Sequence, residues 1–183
     1  MREWFTPENI AATLRSAERN GVNTHQLSYL PEAVEQMAKV KDFFARVRDS
    51  GVLAGMSSHL PENIAYAEEH GWDVVFYMAS FHQLTRSPEE TRKLTGEMGI
   101  GTTFLQGDPA RMCKVIRAVK RPCLAFKILA AGRMAEKRGG LEEAFRFAFE
   151  NIKPTDAVIV GVYPRFKDEV AENAAIVRRL LAS

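Results

Sequence analysis

Apolar residues in this chain form short continuous runs that alternate with longer amphipathic segments. Five runs have the length and composition of buried strands, namely 22–28, 52–57, 73–80, 123–129 and 157–162. Helical patterns fill the segments between them. Because strand and helix alternate along the chain, the pattern predicts the α/β class, with parallel strands and covering helices.

The predicted helices carry local start and stop signals. Ser87-Pro88-Glu89-Glu90 has the spacing of a capping box with proline in the first turn. Asp108-Pro109 begins another helix, and capping alone explains that aspartate. The other predicted helices are 6–21, a segment around Phe43 and Val47 that ends before Gly51, 61–70, 141–152 and a last one through Leu181.

One of the apolar runs contains a lysine. Lys127 lies within the run 123–132, which we predict to be a strand buried on both faces. An ammonium group there is costly unless it is paired or faces a polar cavity. Two interpretations have equal weight: Lys127 belongs to a site at the carboxyl end of a parallel strand, or it reaches the rim of the sheet or pairs with a structural carboxylate.

Composition narrows the classes of function. The 183 residues are 46% apolar, which fits one domain spanning 1–183. The 25 basic and 23 acidic residues give a net charge of +2, which argues against nucleic acid or an anionic membrane as the main partner. We find no apolar run long enough for a membrane span and no signal-peptide pattern, so we expect a cytoplasmic protein. Cys113 and Cys123 lie in apolar settings and are expected to be buried free thiols.

Two parts of the chain carry short motifs in a fixed order. The run 51–59 (GVLAGMSSH) is followed by a predicted helix, by Asp73-Val74-Val75 and by Gln83-Leu84-Thr85-Arg86. The run 157–162 (AVIVGV) is followed by a basic loop and by Glu172-Asn173. These motifs resemble the aldo/keto reductases, in which a strand ending in Gly-x-Ser-Asn precedes a helix and a strand that begins Asp-Val-Val, and in which the last strand leads into a cofactor loop and a Glu-Asn helix. The resemblance covers roughly 45–86 and 123–181, and more faintly 5–28.

The resemblance implies a (β/α) TIM-type barrel that binds NADP(H). Ser57 and Ser58 match the pair that holds the nicotinamide carboxamide, with Ser58 in place of the family's Asn. Gly161 ends the last strand before the cofactor loop. In that loop Arg165 and Lys167 lie where the family grips the 2′-phosphate. Glu172 and Asn173 match the adenine-contacting pair.

The chain departs from the family in its catalytic residues. The family's reductases use an Asp, Tyr, Lys and His set. Here Gln26, or alternatively His25, occupies the position of the family's Asp. Tyr29 follows that position at a shorter sequence spacing than the family's Tyr does. The strands that carry the family's Lys and His have no counterpart before Phe43. A full barrel needs eight strands and about 250 residues. We therefore expect an incomplete or shortened barrel, with completion by a second copy of the chain as one alternative.

Three functional hypotheses remain open. The first is an NADP(H)-dependent oxidoreductase acting on a small carbonyl or sugar-like substrate, with Lys127 and His25 or Tyr29 handling the proton. The second is a metal-dependent lyase or isomerase that uses His25, His59 and Lys127, although no carboxylate accompanies the histidines at a diagnostic spacing. The third is a non-catalytic descendant that binds a ligand or partner.

Overall fold

The computed structural model describes residues 24–27, 34–99 and 101–182, with side chains described from residue 40 onward. Five strands form one parallel sheet. They are β1 (Thr24–Leu27), β2 (Leu53–Ser58), β3 (Phe76–Ser80), β4 (Cys123–Phe126) and β5 (Ala157–Ile159). Each strand lies beside the one that precedes it in the chain, in the order β1-β2-β3-β4-β5. In doubly wound sheets the strand order reverses at one point, whereas the order of these five strands does not reverse.

Six described helices connect or follow these strands. They are α1 (Val34–Asp49), α2 (Pro61–Glu69), α3 (Pro88–Thr95), α4 (Asp108–Ala118), α5 (Gly140–Asn151) and α6 (Glu169–Leu181). The first two contact β2, α4 contacts β3, and the pairs α2–α4, α4–α5 and α5–α6 contact one another. Because these contacts follow the order of the strands, α1, α2, α4, α5 and α6 form an outer layer over the sheet.

The main core lies between that layer and one face of the sheet. In-register side chains on this face are fully buried, as the row Met56, Tyr77 and Cys123 shows. The opposite face is less covered: Leu53 and Ile159 are 43% and 41% exposed. The described residues therefore form a parallel sheet of five strands with outer helices, the architecture of part of a (β/α) barrel. The edges β1 and β5 each have one described neighbour.

The predicted elements are largely confirmed. All five predicted strands are present: β3, β4 and β5 are shorter than their apolar runs, and β2 is as long as its run but shifted by one residue. Ser87 and Glu90 make both hydrogen bonds of the capping box. Two predictions about the fourth strand were wrong in detail. It is not buried on both faces, since Phe126 on its inner face is half-buried, and it ends before Lys127. The predicted helix 6–21 lies outside the described residues.

The amino-terminal edge of the sheet is held by a charged network around Glu68. This carboxylate accepts hydrogen bonds from the Tyr77 hydroxyl at 2.9 Å, the Lys120 backbone N–H at 2.8 Å and Nη1 of Arg121 at 2.6 Å. Arg121 also donates to the backbone oxygens of Trp72 and Val74. The network joins α2 to the starts of β3 and β4. It therefore stabilises the fold and is not part of a site at the opposite, carboxyl-terminal edge of the sheet.

Other sequence expectations concern the cysteines and membrane segments. Cys113 and Cys123 are both buried and free, as predicted. Within the described ranges, no helix is long and apolar enough to cross a membrane.

Candidate functional site at the carboxyl ends of the strands

A parallel sheet brings the carboxyl ends of its strands to one edge, and in barrels that edge carries the site. A cavity of about 540 Å³ opens there, between the ends of β4 and β5 and the beginning of α6. Its wall is largely apolar, with Phe126, Ile128 and Leu141 among the lining residues. Lys127 and Tyr163 also line it, so an apolar pocket with a few charged and polar groups lies where a barrel places its ligand.

Lys127 is the first residue after β4, and its backbone is strained. Its φ of 60° lies in the left-handed region, and Ala130 and Ala131 follow with φ of 49° and 55°. Each such conformation costs a residue with a side chain about 1–2 kcal/mol. The three strained residues lie in one turn, and strained backbone conformations often occur at functional sites.

The Lys127 side chain is half-buried and lines the cavity. Its described ring contact is with Phe126, whose centroid lies 5.9 Å from Nζ. None of the ion pairs among the described residues includes Lys127. Pairing with a structural carboxylate, one of the two interpretations of this lysine, is therefore not observed within the described part of the chain.

The loop after β5 forms the other wall of the cavity. Lys167 Nζ lies 2.6 Å from Glu172 Oε2, and this hydrogen bond raises the pKa of Lys167. Glu169 accepts a hydrogen bond from the Tyr163 backbone N–H at 2.7 Å. Asp168 accepts one from the backbone N–H of Ala171 at 2.9 Å and caps α6. The acidic side chains therefore fix the loop, and Lys167 already has an anionic partner.

The structure brings together only part of the residue set predicted from the sequence. Five of the predicted residues line this cavity, namely Lys127, Gly161, Lys167, Glu172 and Asn173. Arg165 is not among its lining residues; its guanidinium is exposed and packs over the Phe166 ring at 5.5 Å.

The two serines of the predicted nicotinamide site lie elsewhere. Ser57 and Ser58 are both buried at the end of β2 and do not line the cavity. The Ser58 hydroxyl accepts from the Leu60 N–H at 3.0 Å and lies 3.2 Å from the Leu60 carbonyl oxygen. It therefore shapes the turn that leads into α2, a local use that competes with holding a ligand.

The other two predicted catalytic residues fall outside the described side chains. The backbone of His25 lies in β1, paired with Ala54. Tyr29 lies outside the described residues. Their catalytic roles therefore stay predictions.

Sequence reasoning missed a buried ion pair next to this edge. Arg86 and Asp108 have side chains that are only 3% and 4% exposed, and they form a two-pronged salt bridge. Gln83 joins them: its backbone N–H donates to Asp108 at 3.2 Å, and its oxygens accept from Arg86. Asp108 was expected only to cap α4, but Gly107 is the N-cap. The pair therefore ties the loop after β3 to α4.

Two histidines lie near that pair. His59 Nδ1 lies 3.0 Å from the backbone oxygen of His82, and the Ser80 hydroxyl donates to the same oxygen at 2.8 Å. His82 is buried, and its Nδ1 has no hydrogen-bond partner in the described structure. Burial lowers the pKa of both imidazoles, and the charge of Lys127 lowers both further. The lowered pKa favours the neutral form of both rings.

A metal centre built from the scattered histidines has no support among the described side chains. No group of three or more His, Cys, Asp or Glu side chains there is close enough to hold an ion. His25, one of the three proposed ligands, is outside that search.

Comparison with known proteins adds little to this geometry. No protein-family model and no curated protein matches the chain. Solved structures that match include dihydropteroate synthase from Thermus thermophilus, at 16% identity and a TM-score of 0.48, covering 96% of this chain and 64% of that one. The same enzyme in complex with 4-aminobenzoate matches at 15% identity and a TM-score of 0.45, covering 97% and 66%. The chain thus spans about 64% of the first of these proteins, and likenesses this weak assign neither family nor activity.

Proposed function

We propose that this chain binds a phosphate-bearing small molecule in the cavity between β4 and β5, with NADP(H) as the first candidate. The proposed activity is that of an NADP(H)-dependent oxidoreductase acting on a small carbonyl or sugar-like substrate. The observation that carries the proposal is the position of Lys127. It is a lysine without a described acidic partner, on a strained turn, in the wall of a cavity of about 540 Å³ at the edge where barrels bind ligands.

An anionic group of the ligand is best matched by Lys127. A phosphate there would gain a charge-assisted hydrogen bond without first breaking an ion pair. Lys167 would have to exchange Glu172 for the phosphate, and Arg165 is exposed outside the cavity lining. The structure thus favours a different anchor from the one that the aldo/keto reductase resemblance implies.

NADP(H) fits the described residues in part. Gly161, Glu172 and Asn173 line the cavity, as the resemblance requires. The Ser57 and Ser58 hydroxyls lie outside it, so the nicotinamide end lacks its expected partners there. When bound, the cofactor would donate or accept a hydride, while this chain would position it and exclude water.

Calorimetric titration with NADPH and NADH tests the proposal. We expect saturable binding of NADPH, weakened by Lys127→Met by about 10-fold or more, because a hydrogen bond to a charged group contributes about 1.5–3 kcal/mol. Lys114→Met is the matched control, since Lys114 is an exposed lysine on α4 away from the cavity. Its affinity should equal that of the wild type.

Two outcomes would contradict the proposal. One is no saturable binding of either nucleotide, and the other is equal affinity of the Lys127 and Lys114 variants. A double variant, Arg165→Ala with Lys167→Ala, decides which cation holds the 2′-phosphate. If the loop holds it, this variant weakens NADPH more than NADH; if Lys127 holds it, both nucleotides change little.

A further inference from the structure

The cavity beside Lys127 has a continuous apolar wall. Phe126 of β4 and Ile159 of β5 are partners in the sheet register, so their side chains lie side by side on the same face of the sheet, and both line the cavity. Leu129, in the turn after β4, and Leu141, on α5, extend this surface. We refer to these four residues as the apolar wall.

Part of the apolar lining is uncovered. Ile159 is 41% exposed, and Val162 and Tyr163, which line the cavity from the loop after β5, are 43% and 59% exposed. Exposed apolar surface that is concentrated in one place often marks a site that a ligand or partner covers. Because this surface lines a cavity of about 540 Å³, it matches a small molecule better than the broad surface of a second protein.

The charged groups that line the cavity differ in their partners. Glu172 is paired with Lys167, and Glu169 accepts the backbone N–H of Tyr163. Lys127 belongs to none of the ion pairs among the described side chains, and it directly follows Phe126 of the apolar wall. The cation that can receive a ligand therefore lies next to the apolar surface.

We propose that the cavity takes amphipathic anions, in which a phosphate or carboxylate group that contacts Lys127 is joined to a hydrocarbon group that covers the apolar wall. A sugar phosphate would satisfy the lysine but would place its hydroxyl groups against aliphatic side chains, where they lose hydrogen bonds to water. An uncharged hydrocarbon would cover the wall and leave the ammonium group without an anion. The inference rests on the proposed function for the role of Lys127 and narrows the class of ligand that the same site binds.

Calorimetric titration with three probes tests the two requirements separately. Octyl phosphate carries both the anion and the hydrocarbon group, glucose 6-phosphate carries only the anion, and octan-1-ol carries only the hydrocarbon group. We expect saturable binding of octyl phosphate, at least about 10-fold tighter than that of either other probe. Hexyl phosphate should bind about 15-fold more weakly than octyl phosphate, because each buried CH₂ group contributes a factor of about four.

Two variants and a control locate the binding. Lys127→Met should weaken octyl phosphate by about 10-fold or more without weakening octan-1-ol, since only the first probe carries an anion. Ile159→Thr should weaken both probes, because it removes apolar contact and keeps a β-branched side chain in β5. Leu53→Thr is the matched control: Leu53 is 43% exposed on β2 and is not part of the cavity lining, so the affinities should equal those of the wild type.

Equal affinity of the wild type for octyl phosphate and glucose 6-phosphate would overturn the inference, and so would an Ile159 variant that binds octyl phosphate as the Leu53 variant does. NADPH titrated in parallel separates the inference from the proposed function. If NADPH binds and octyl phosphate does not, the inference fails and the proposed function stands. If octyl phosphate binds with the expected dependence on Lys127 and Ile159 and NADPH does not bind, NADP(H) fails as the ligand and the inference stands. If neither binds, both fail.

Discussion

The buried Arg86–Asp108 pair allows a sharp prediction about stability. Both side chains are almost fully withdrawn from water, and Asp108 also accepts the Gln83 N–H. Asp108→Ala would leave the Arg86 guanidinium buried with only the two oxygens of Gln83 as partners. Removing one member of such a pair costs about 3–5 kcal/mol, because the remaining charge is neither solvated nor paired.

That cost is a large part of the free energy of unfolding, which is about 5–15 kcal/mol for a domain. With a urea m-value of about 2 kcal/mol/M, a loss of about 4 kcal/mol lowers the unfolding midpoint by about 2 M. Unfolding can be followed by the emission of Trp72, which is 1% exposed. We expect the m-value to stay the same and the midpoint to fall.

Arg146→Met is the matched control. Arg146 pairs with Glu142 at 2.9 Å on α5, but the two side chains are 51% and 37% exposed, so the pair should contribute less than about 1 kcal/mol. The double variant Arg86→Met with Asp108→Leu should recover much of the loss, since apolar replacement of a whole buried pair is often neutral. If Asp108→Ala lowers the midpoint no more than Arg146→Met does, the buried pair does not stabilise the fold as expected.

Three further predictions concern other parts of the molecule. Burial alone would raise the pKa of Glu68, but its hydrogen bonds from Lys120, Tyr77 and Arg121 lower it below 4.5. Its contribution to stability is therefore present above about pH 4.5 and lost as the pH falls through the folded pKa. In Glu68→Gln, the free energy of unfolding should fall less steeply as the pH is lowered below about 4.5. An unchanged pH dependence would contradict this. Burial raises the pKa of Cys113 to about 11 and of Cys123 to about 12, so both thiols should resist a disulfide reagent at pH 8 until urea is added; rapid labelling of native protein would contradict their burial. Completion of the barrel by a second copy predicts a concentration-dependent sedimentation coefficient, reduced by Phe166→Ser because that ring is 82% exposed beside β5; a monomer at all concentrations would refute it.

Much of the fold follows from the sequence because its determinants are local. Runs such as 73–80 and the capping box at Ser87 are decided by neighbours in the chain, and both are observed. The exact strand ends were not predictable, since the end of β4 depends on the left-handed conformation of Lys127, which apolar periodicity does not encode.

The site was only partly predictable because it depends on distant contacts. Lys127 could be selected as a charge inside an apolar run, and it lines the cavity. The pair Arg86–Asp108 is separated by 22 positions, and nothing near either residue shows that they meet. Capping is a sufficient local explanation for an acidic residue at the start of a helix, so the sequence does not indicate that Asp108 has a distant partner. The use of the Ser58 hydroxyl within its own turn was hidden in the same way.

The proposed function requires that the cavity beside Lys127 binds an anionic small molecule. Backbone ¹H–¹⁵N spectra recorded during a titration with NADPH test this, because they locate the ligand. We expect saturable shifts concentrated at 127–132, 159–163 and 167–173, and their loss in Lys127→Met. No shifts, or shifts centred on the amino-terminal edge around Glu68 and Arg121, would contradict it.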